Sequence, residues 1–232
     1  MIQAVIFDLD GTVVDTEAEW EAVFRQVWEE YSGQKIIDKK WIHEPGIGLS
    51  SNWKKMVKDS EMVERLTKRT LEVFDKQVKE DSEVSIREGV VEAVDKAKQL
   101  GWMTALCTSS IWNTVEDELE QLGLYLAFDV TTTGEEVLAP KPDPEIYMLT
   151  AQKLGVDFSE CLVIEDSLSG VEAAVAAGMK VVGISSGYSP GAKLSATGAQ
   201  YIINDLIDLA RMFDEIKGKE QVITTDEERH DE

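Results

Sequence analysis

The chain has 232 residues, 43% hydrophobic and 29% charged, which is ample for one or two folded domains and too apolar for a disordered protein. Acids outnumber bases 45 to 23, a net charge of −22, and a surface of that sign repels phosphodiester backbones and anionic lipid, which argues against nucleic-acid and membrane partners. With two His and two Cys in all, zinc clusters and disulfide frameworks are excluded, and a Ser-His-Asp triad nearly so, because His43 and His230 are the sole imidazoles and His230 lies in a charged tail.

The first apolar run, Ala4 to Phe7, reads as a buried strand. It is not preceded by the basic leader and long apolar stretch of a signal peptide, and no run approaches the ~18 residues of a membrane span, so a cytoplasmic protein is expected. Thr16-x-x-Glu19 reads as a capping box, followed by Trp20, Val23, Phe24, Val27, Trp28 and Tyr31 at helical spacing. A second helical stretch covers about 61–79, and no buried strand lies between the two. Residues 15–85 are therefore expected to form a helical cap, inserted into an α/β core of residues 1–14 and 86–214. The cap segment holds 16 acids and 12 bases, about half of all the positive charge. Its tryptophans, Trp28 and Trp41 among them, read as core, Trp20 as facing the substrate from near the hinge, and His43 as a loop residue rather than a catalyst.

Beyond the cap, apolar runs alternate with helical stripes. Met103–Cys107, Leu126–Val130, Cys161–Ile164, Val181–Ile184 and Tyr201–Ile203 read as strands, with Cys107 and Cys161 as reduced, buried thiols. Helices are expected between them: one on Val90, Val91, Val94, Ala97 and Leu100 ending at Gly101, one on Val115, Leu119 and Leu122 ending at Gly123, one from Asp143-Pro144 to Gly155, and one from Ser169 to Ala177. This rhythm predicts a doubly wound, Rossmann-like parallel sheet. Residues 215–232 are polar, acidic and aperiodic, and read as a flexible tail.

In such a sheet, ligands bind where loops leave the carboxyl ends of the strands. Four loops carry polar residues there: Asp8-Leu9-Asp10-Gly11-Thr12, Thr108-Ser109-Ser110, Lys141, and Glu165-Asp166-Ser167. Carboxylates gathered at one edge raise one another's pKa, a conflict that a divalent cation removes, and oxygen ligands without His or Cys favour magnesium. Lys141, the Thr108 hydroxyl and backbone N–H groups are suitable donors to an anion. Together these groups describe phosphoryl transfer, with one aspartate free to act as a covalent nucleophile.

In order, these motifs resemble those of the haloacid dehalogenase-like hydrolases, and the helical insertion after the first is similar to the cap of the β-phosphoglucomutase-like branch. The resemblance covers about residues 1–214. It implies that Asp8 forms an aspartyl-phosphate, and that Asp10 is the general acid and then the general base. It also implies that Mg²⁺ is held by the Asp8 carboxylate, the Asp10 carbonyl and Asp166, with Glu165 nearby as a ligand or as a hydrogen-bond partner to one. Thr108, the Ser109 N–H and Lys141 would hold the phosphoryl oxygens, and Gly11 would permit the tight loop. An acid at Asp10, which halide displacement does not need, points to phosphate chemistry.

Three departures bear on the substrate. Trp20 stands where the mutases of this branch carry a His, Ser51 where they carry a cap Arg, and Thr70, with Lys68 and Arg69 beside it, near their cap Lys. Glu88 replaces the usual hinge proline. A mutase must hold a second phosphate, so the expected activity is a magnesium-dependent phosphatase acting on a small phosphorylated metabolite, as a monomer. A sugar-phosphate mutase is the alternative, and a non-catalytic binding protein a remoter one. One or two of Lys54, Lys55, Lys68 and Arg69 are expected to face the cleft and attract an anionic substrate.

Overall fold

A computed structural model describes residues 1–35, 43–80 and 85–228. Among them, strands β1 (Ala4–Phe7), β2 (Met103–Cys107), β3 (Val130–Thr132), β4 (Cys161–Glu165), β5 (Lys180–Ile184) and β6 (Tyr201–Ile203) form one parallel sheet in the order β3-β2-β1-β4-β5-β6. Every residue of β1 is buried, and alternate side chains serve opposite faces. Val5 and Phe7 pack with α4 (Val90–Gln99), α5 (Trp112–Gln121) and α9 (Leu209–Glu228), whereas Ala4 and Ile6 pack with α6 (Glu145–Leu154), α7 (Leu168–Ala176) and α8 (Gly191–Thr197). This is the doubly wound α/β fold. Cys107 and Cys161 are free and buried, and burial pushes both thiols up to about 12, which leaves them unreactive.

Three helices, α1 (Glu17–Ser32), α2 (Leu49–Met56) and α3 (Ser60–Glu80), follow β1 and pack around an apolar cluster of their own. Trp20, Phe24, Trp53 and Phe74 are buried at its centre, and Trp28 packs against it half-buried. The Trp53 indole N–H donates to Thr70 Oγ1 at 2.9 Å, which satisfies two polar groups inside that cluster. Trp41 and His230 lie outside the described residues.

Several local expectations are corrected. The third strand is Val130–Thr132 rather than Leu126–Val130, and Leu126 is 87% exposed in the turn that follows α5. Thr16 and Glu19 form no capping box, because the Thr16 hydroxyl is turned away from the helix and donates to Asp10 Oδ1 at 2.8 Å. Val91 is exposed, and Ala93 takes its place on the buried face of α4. The span from Glu215, read as an aperiodic tail, continues α9 to Glu228, with Ile216 buried against the core. No helix among the described residues is long and apolar enough to cross a membrane.

Candidate active site

Strand order sets the site. β1 lies between β2 and β4, with Phe7 level with both Leu106 and Ile164, so the residues just beyond these strands emerge side by side. Asp8 follows β1, Thr108 follows β2, and β4 ends at Glu165 with Asp166 next. The order in which successive strands are added reverses between β1 and β4, the position at which open α/β sheets bind ligands. Gly11 lets the first loop close over this edge. Its φ is +76°, and a Cβ there would sit 2.3 Å from Asp166 Oδ2.

Lys141 reaches in from the long connection after β3 and is 1% exposed. Its Nζ donates to Asp8 Oδ1 at 2.6 Å and to Glu165 Oε1 at 2.8 Å. Both oxygens of Glu165 are otherwise engaged: the Tyr147 hydroxyl donates to Oε1 at 2.9 Å, and the Ser167 N–H and Oγ each donate to Oε2 at 2.8 Å. Glu165 is thus the fixed anchor that holds Lys141 against Asp8. Asp166 differs, since its buried Oδ1 has no hydrogen-bond partner. Oxygens of Asp8, Glu165 and Asp166 lie within 4.8 Å of one another.

The electrostatics are those of a site short of positive charge. Burial pushes the Asp8 carboxyl well above its usual range against the pull of Lys141, with Glu165 and Asp10 adding to the rise. Burial, then the charges of Glu165, Glu17 and Asp8, does the same to Asp166. Burial works to lower the Lys141 ammonium, but Asp8 and Glu165 outweigh it and hold the group firmly charged. An all-oxygen cluster with an unsatisfied buried carboxylate oxygen fits a hard divalent cation.

Asp10 is held by both of its oxygens. Oδ1 accepts from Thr16 Oγ1 at 2.8 Å and from Trp20 Nε1 at 2.7 Å, and Oδ2 accepts from Ser110 Oγ at 2.8 Å. Trp20, stacked on Phe74 with ring centroids 3.5 Å apart, therefore orients a carboxylate as well as filling the helical cluster. Trp20→Phe keeps the stacking and removes the donor. It is expected to lower kcat about tenfold with little change in KM, and steady-state kinetics on an aryl phosphate would check it.

Two adjoining cavities meet at this edge. The inner one, of about 30 Å³, is bounded by Asp8, Asp10, Thr108 and Ser109 together with Glu17 and His43. The outer cleft, of about 280 Å³, runs between Ser51, Lys54 and Leu71 on one side and Ser110, Ile111 and Leu138 on the other, and Trp20 borders both. A loop from the inserted helices closes the inner cavity: Ser109 Oγ donates to the Gly46 carbonyl at 2.8 Å and Ser169 Oγ to the Pro45 carbonyl at 3.0 Å. Of the basic residues singled out from the sequence, Lys54 lines the cleft, whereas Lys55 pairs with Glu44 and Arg69 with Glu30 at 2.9 Å at the surface. Lys68 is exposed and borders a shallow hollow with Ser50, Thr67 and Leu71, which also line the cleft, and Thr70 is buried beneath Trp53.

The structure thus brings Asp8, Asp10, Thr108, Ser109, Lys141, Glu165 and Asp166 together. Sequence reasoning gave no role to Ser110, although it stands in the second of the four loops, or to Tyr147 beyond Lys141. It also missed Glu17, which follows Thr16 with no periodic signal of its own, and set His43 aside.

A sequence profile described as haloacid dehalogenase-like hydrolase matches residues 5–184. The chain belongs to that family of enzymes. It is 34% identical over 210 residues to the phosphorylated carbohydrates phosphatase of Thermotoga maritima, covering 87% of this chain and 94% of that protein. To pyrophosphatase PpaX of Bacillus velezensis it is 30% identical over 210 residues, covering 90% and 94%. In structure it resembles a hydrolase from Pseudomonas syringae at a TM-score of 0.83 and 25% identity, covering 92% of this chain and 99% of that one. It also shares the fold of a β-phosphoglucomutase from Clostridium difficile, at a TM-score of 0.82 and 23% identity, covering 96% and 100%.

Proposed function

We propose that this enzyme is a magnesium-dependent phosphatase that hydrolyses a small phosphomonoester through an aspartyl-phosphate on Asp8, with residues 15–85 acting as its cap. The observation that carries this reading is the convergence of Asp8, Lys141 and the unsatisfied Asp166 at the carboxyl edge of β1 and β4, with Asp10 oriented beside them.

A carboxylate oxygen of Asp8 attacks phosphorus, and the bond from phosphorus to the ester oxygen breaks. Asp10 gives its proton to that leaving oxygen. It then takes a proton from a water molecule that attacks phosphorus and frees Asp8, releasing inorganic phosphate. Lys141 and the donors of Thr108 and Ser109 hold the phosphoryl oxygens, while Glu165 keeps Lys141 in place. Asp8 and Asp166, with the Asp10 carbonyl and Glu165 adjacent, would hold Mg²⁺, which when bound neutralises the carboxylates and polarises the phosphoryl group. The closed loop at Pro45 and Gly46 keeps bulk water from the intermediate.

The cleft speaks against a mutase. Among the described residues that line it, Lys54 and Lys141 are the cations, Ser51 supplies a hydroxyl, and Thr70 is withdrawn into the helical cluster. Interconversion of sugar-phosphate isomers is not expected.

Two measurements test this reading. Phosphate release from a panel of phosphorylated metabolites is expected to require magnesium, and turnover that survives chelation would reject the mechanism. At saturating Mg²⁺ the parent is expected to gain about 2–3 kcal/mol, a Tm rise of roughly 5–10 °C, and Asp166→Asn to lose most of that gain.

A further inference from the structure

We infer that Arg87 is a positioning residue for the proton-transfer steps: through the Gly11 carbonyl it fixes the turn that presents Asp10. The inference rests on the phosphatase reading above and adds a residue that lies outside the four strand-end loops.

The setting is the pair of chain crossings that join helices α1–α3 to the sheet. The first follows β1 through a turn over residues 9–14, and the second enters α4 through Ile86, Arg87 and Gly89. The two run side by side. Val14 and Ile86 form an antiparallel bridge, and the Arg87 N–H donates to the Val13 carbonyl at 2.9 Å. From that position the half-buried Arg87 side chain donates through Nη1 to the Gly11 carbonyl.

The turn leaves that carbonyl to Arg87. Its own N–H groups are used internally: those of Thr12, Val13 and Val14 donate to the Leu9 carbonyl at 3.1, 2.8 and 3.1 Å, and that of Gly11 to the Val14 carbonyl at 2.7 Å. Thr16, Trp20 and Ser110 hold the Asp10 carboxylate, but not the peptide that follows it. Gly11 is the freest residue there, and a donor fixed on its carbonyl removes that freedom. Asp8 is pinned independently, by its N–H to the Ile164 carbonyl at 3.0 Å and by Lys141. Loosening Gly11 therefore displaces Asp10 and spares the nucleophile.

Charge and anchoring single Arg87 out. The chain carries 45 acids against 23 bases, yet among the described residues no carboxylate pairs with Arg87, and its guanidinium is spent on a carbonyl. Such a charge-assisted bond is stronger than one between neutral groups. Its root is firm: the Arg87 carbonyl accepts from the Val90 N–H at 3.2 Å as α4 begins, and a Cβ on Gly89 would sit 2.5 Å from the Ile207 nitrogen, so this crossing is seated on the core. Glu88 stands in place of the usual hinge proline, which would have restricted its own φ and the residue before it. The two hydrogen bonds of Arg87 supply that restraint instead.

Benzyl phosphate and para-nitrophenyl phosphate test the role. An alkoxide must be protonated as it leaves, whereas nitrophenolate leaves unaided, and kcat/KM reports the steps up to that departure. In the full chain with magnesium, Arg87→Met is expected to lower kcat/KM for the benzyl ester by about tenfold or more beyond any loss on the nitrophenyl ester. Arg87→Gln, whose amide is too short to reach the carbonyl, is expected to show the same selective loss and gives the reading if Arg87→Met does not fold. Arg87→Lys, whose ammonium can reach it, is expected to hold the ratio of the two esters within about threefold of the parent's. Losses of equal size on both esters would mark Arg87 as a brace of the fold and overturn the proposal, and so would a lysine variant as selective as the methionine one. A parent that releases phosphate from neither ester overturns the phosphatase reading. A parent active on both, with variants that lose equally, overturns the role of Arg87 alone.

Discussion

Asp8→Asn is expected to reduce turnover by roughly 10⁴-fold or more while leaving the protein folded. The substitution keeps the shape of the side chain and removes the attacking oxygen's charge, so what is lost is the covalent step and not the scaffold. Stability should hold or rise. The parent keeps Asp8 buried among Glu165, Asp166 and Asp10, with burial the largest force against its ionised form, and the amide carries no such penalty. Lys141 retains Glu165 at 2.8 Å as its countercharge. Circular dichroism with phosphate release separates the two effects. A variant that unfolds, or one that still turns over, would contradict this account of the residue.

Lys141→Met is expected to do the reverse, removing activity and stability together. It takes away the cation between Asp8 and Glu165 and leaves two buried carboxyls facing each other, a change that costs about 3–5 kcal/mol when one partner of a buried pair is lost. For a chain of this size that corresponds to a Tm fall of roughly 6–20 °C. The deficit should depend on pH. A carboxyl whose folded pKa is raised above its unfolded value contributes most at low pH and loses that contribution as pH rises through the folded pKa. Without Lys141 the Asp8 carboxyl loses the charge that pulls it down and is driven further up, so the gap from the parent should widen between about pH 5 and pH 8. Denaturant melts at the two ends of that range check the sign, and a gap that narrows toward high pH would contradict it.

Much of this architecture is legible in the chain because its strands are buried on both faces. Runs such as Ala4–Phe7 and Cys161–Ile164 are apolar without interruption, and the glycines after the helices, Gly101, Gly123 and Gly155, adopt the positive φ that ends them. The edge strand β3 hides for the opposite reason. Thr131 and Thr132 are polar, while the more apolar Leu126 is spent in an exposed turn. Eight-residue α2 is too short to establish a period, and its place is fixed by Trp53 at the centre of the helical cluster.

At the site, the strand-end residues are legible because each sits in a dense local motif. Groups that act through pairing across the chain are not. Thr16 has the local form of a helix cap, but Asp10 is the stronger partner, and the tertiary bond overrides the local one. Glu17 and His43 lie far apart in the sequence and meet only in the folded chain, and nothing in either neighbourhood announces the meeting. Trp20 is the instructive case: its spacing marks a core residue, which it is, while its indole nitrogen serves the reaction centre.

The most direct measurement is a rapid acid quench during turnover of an aryl phosphate, followed by mass spectrometry of the peptides. An aryl leaving group needs little protonation, so attack outruns hydrolysis of the phosphoenzyme. The account predicts a burst of the aryl alcohol, stoichiometric with protein, and a phosphoryl adduct on Asp8. Steady turnover with the adduct on a different residue would contradict it.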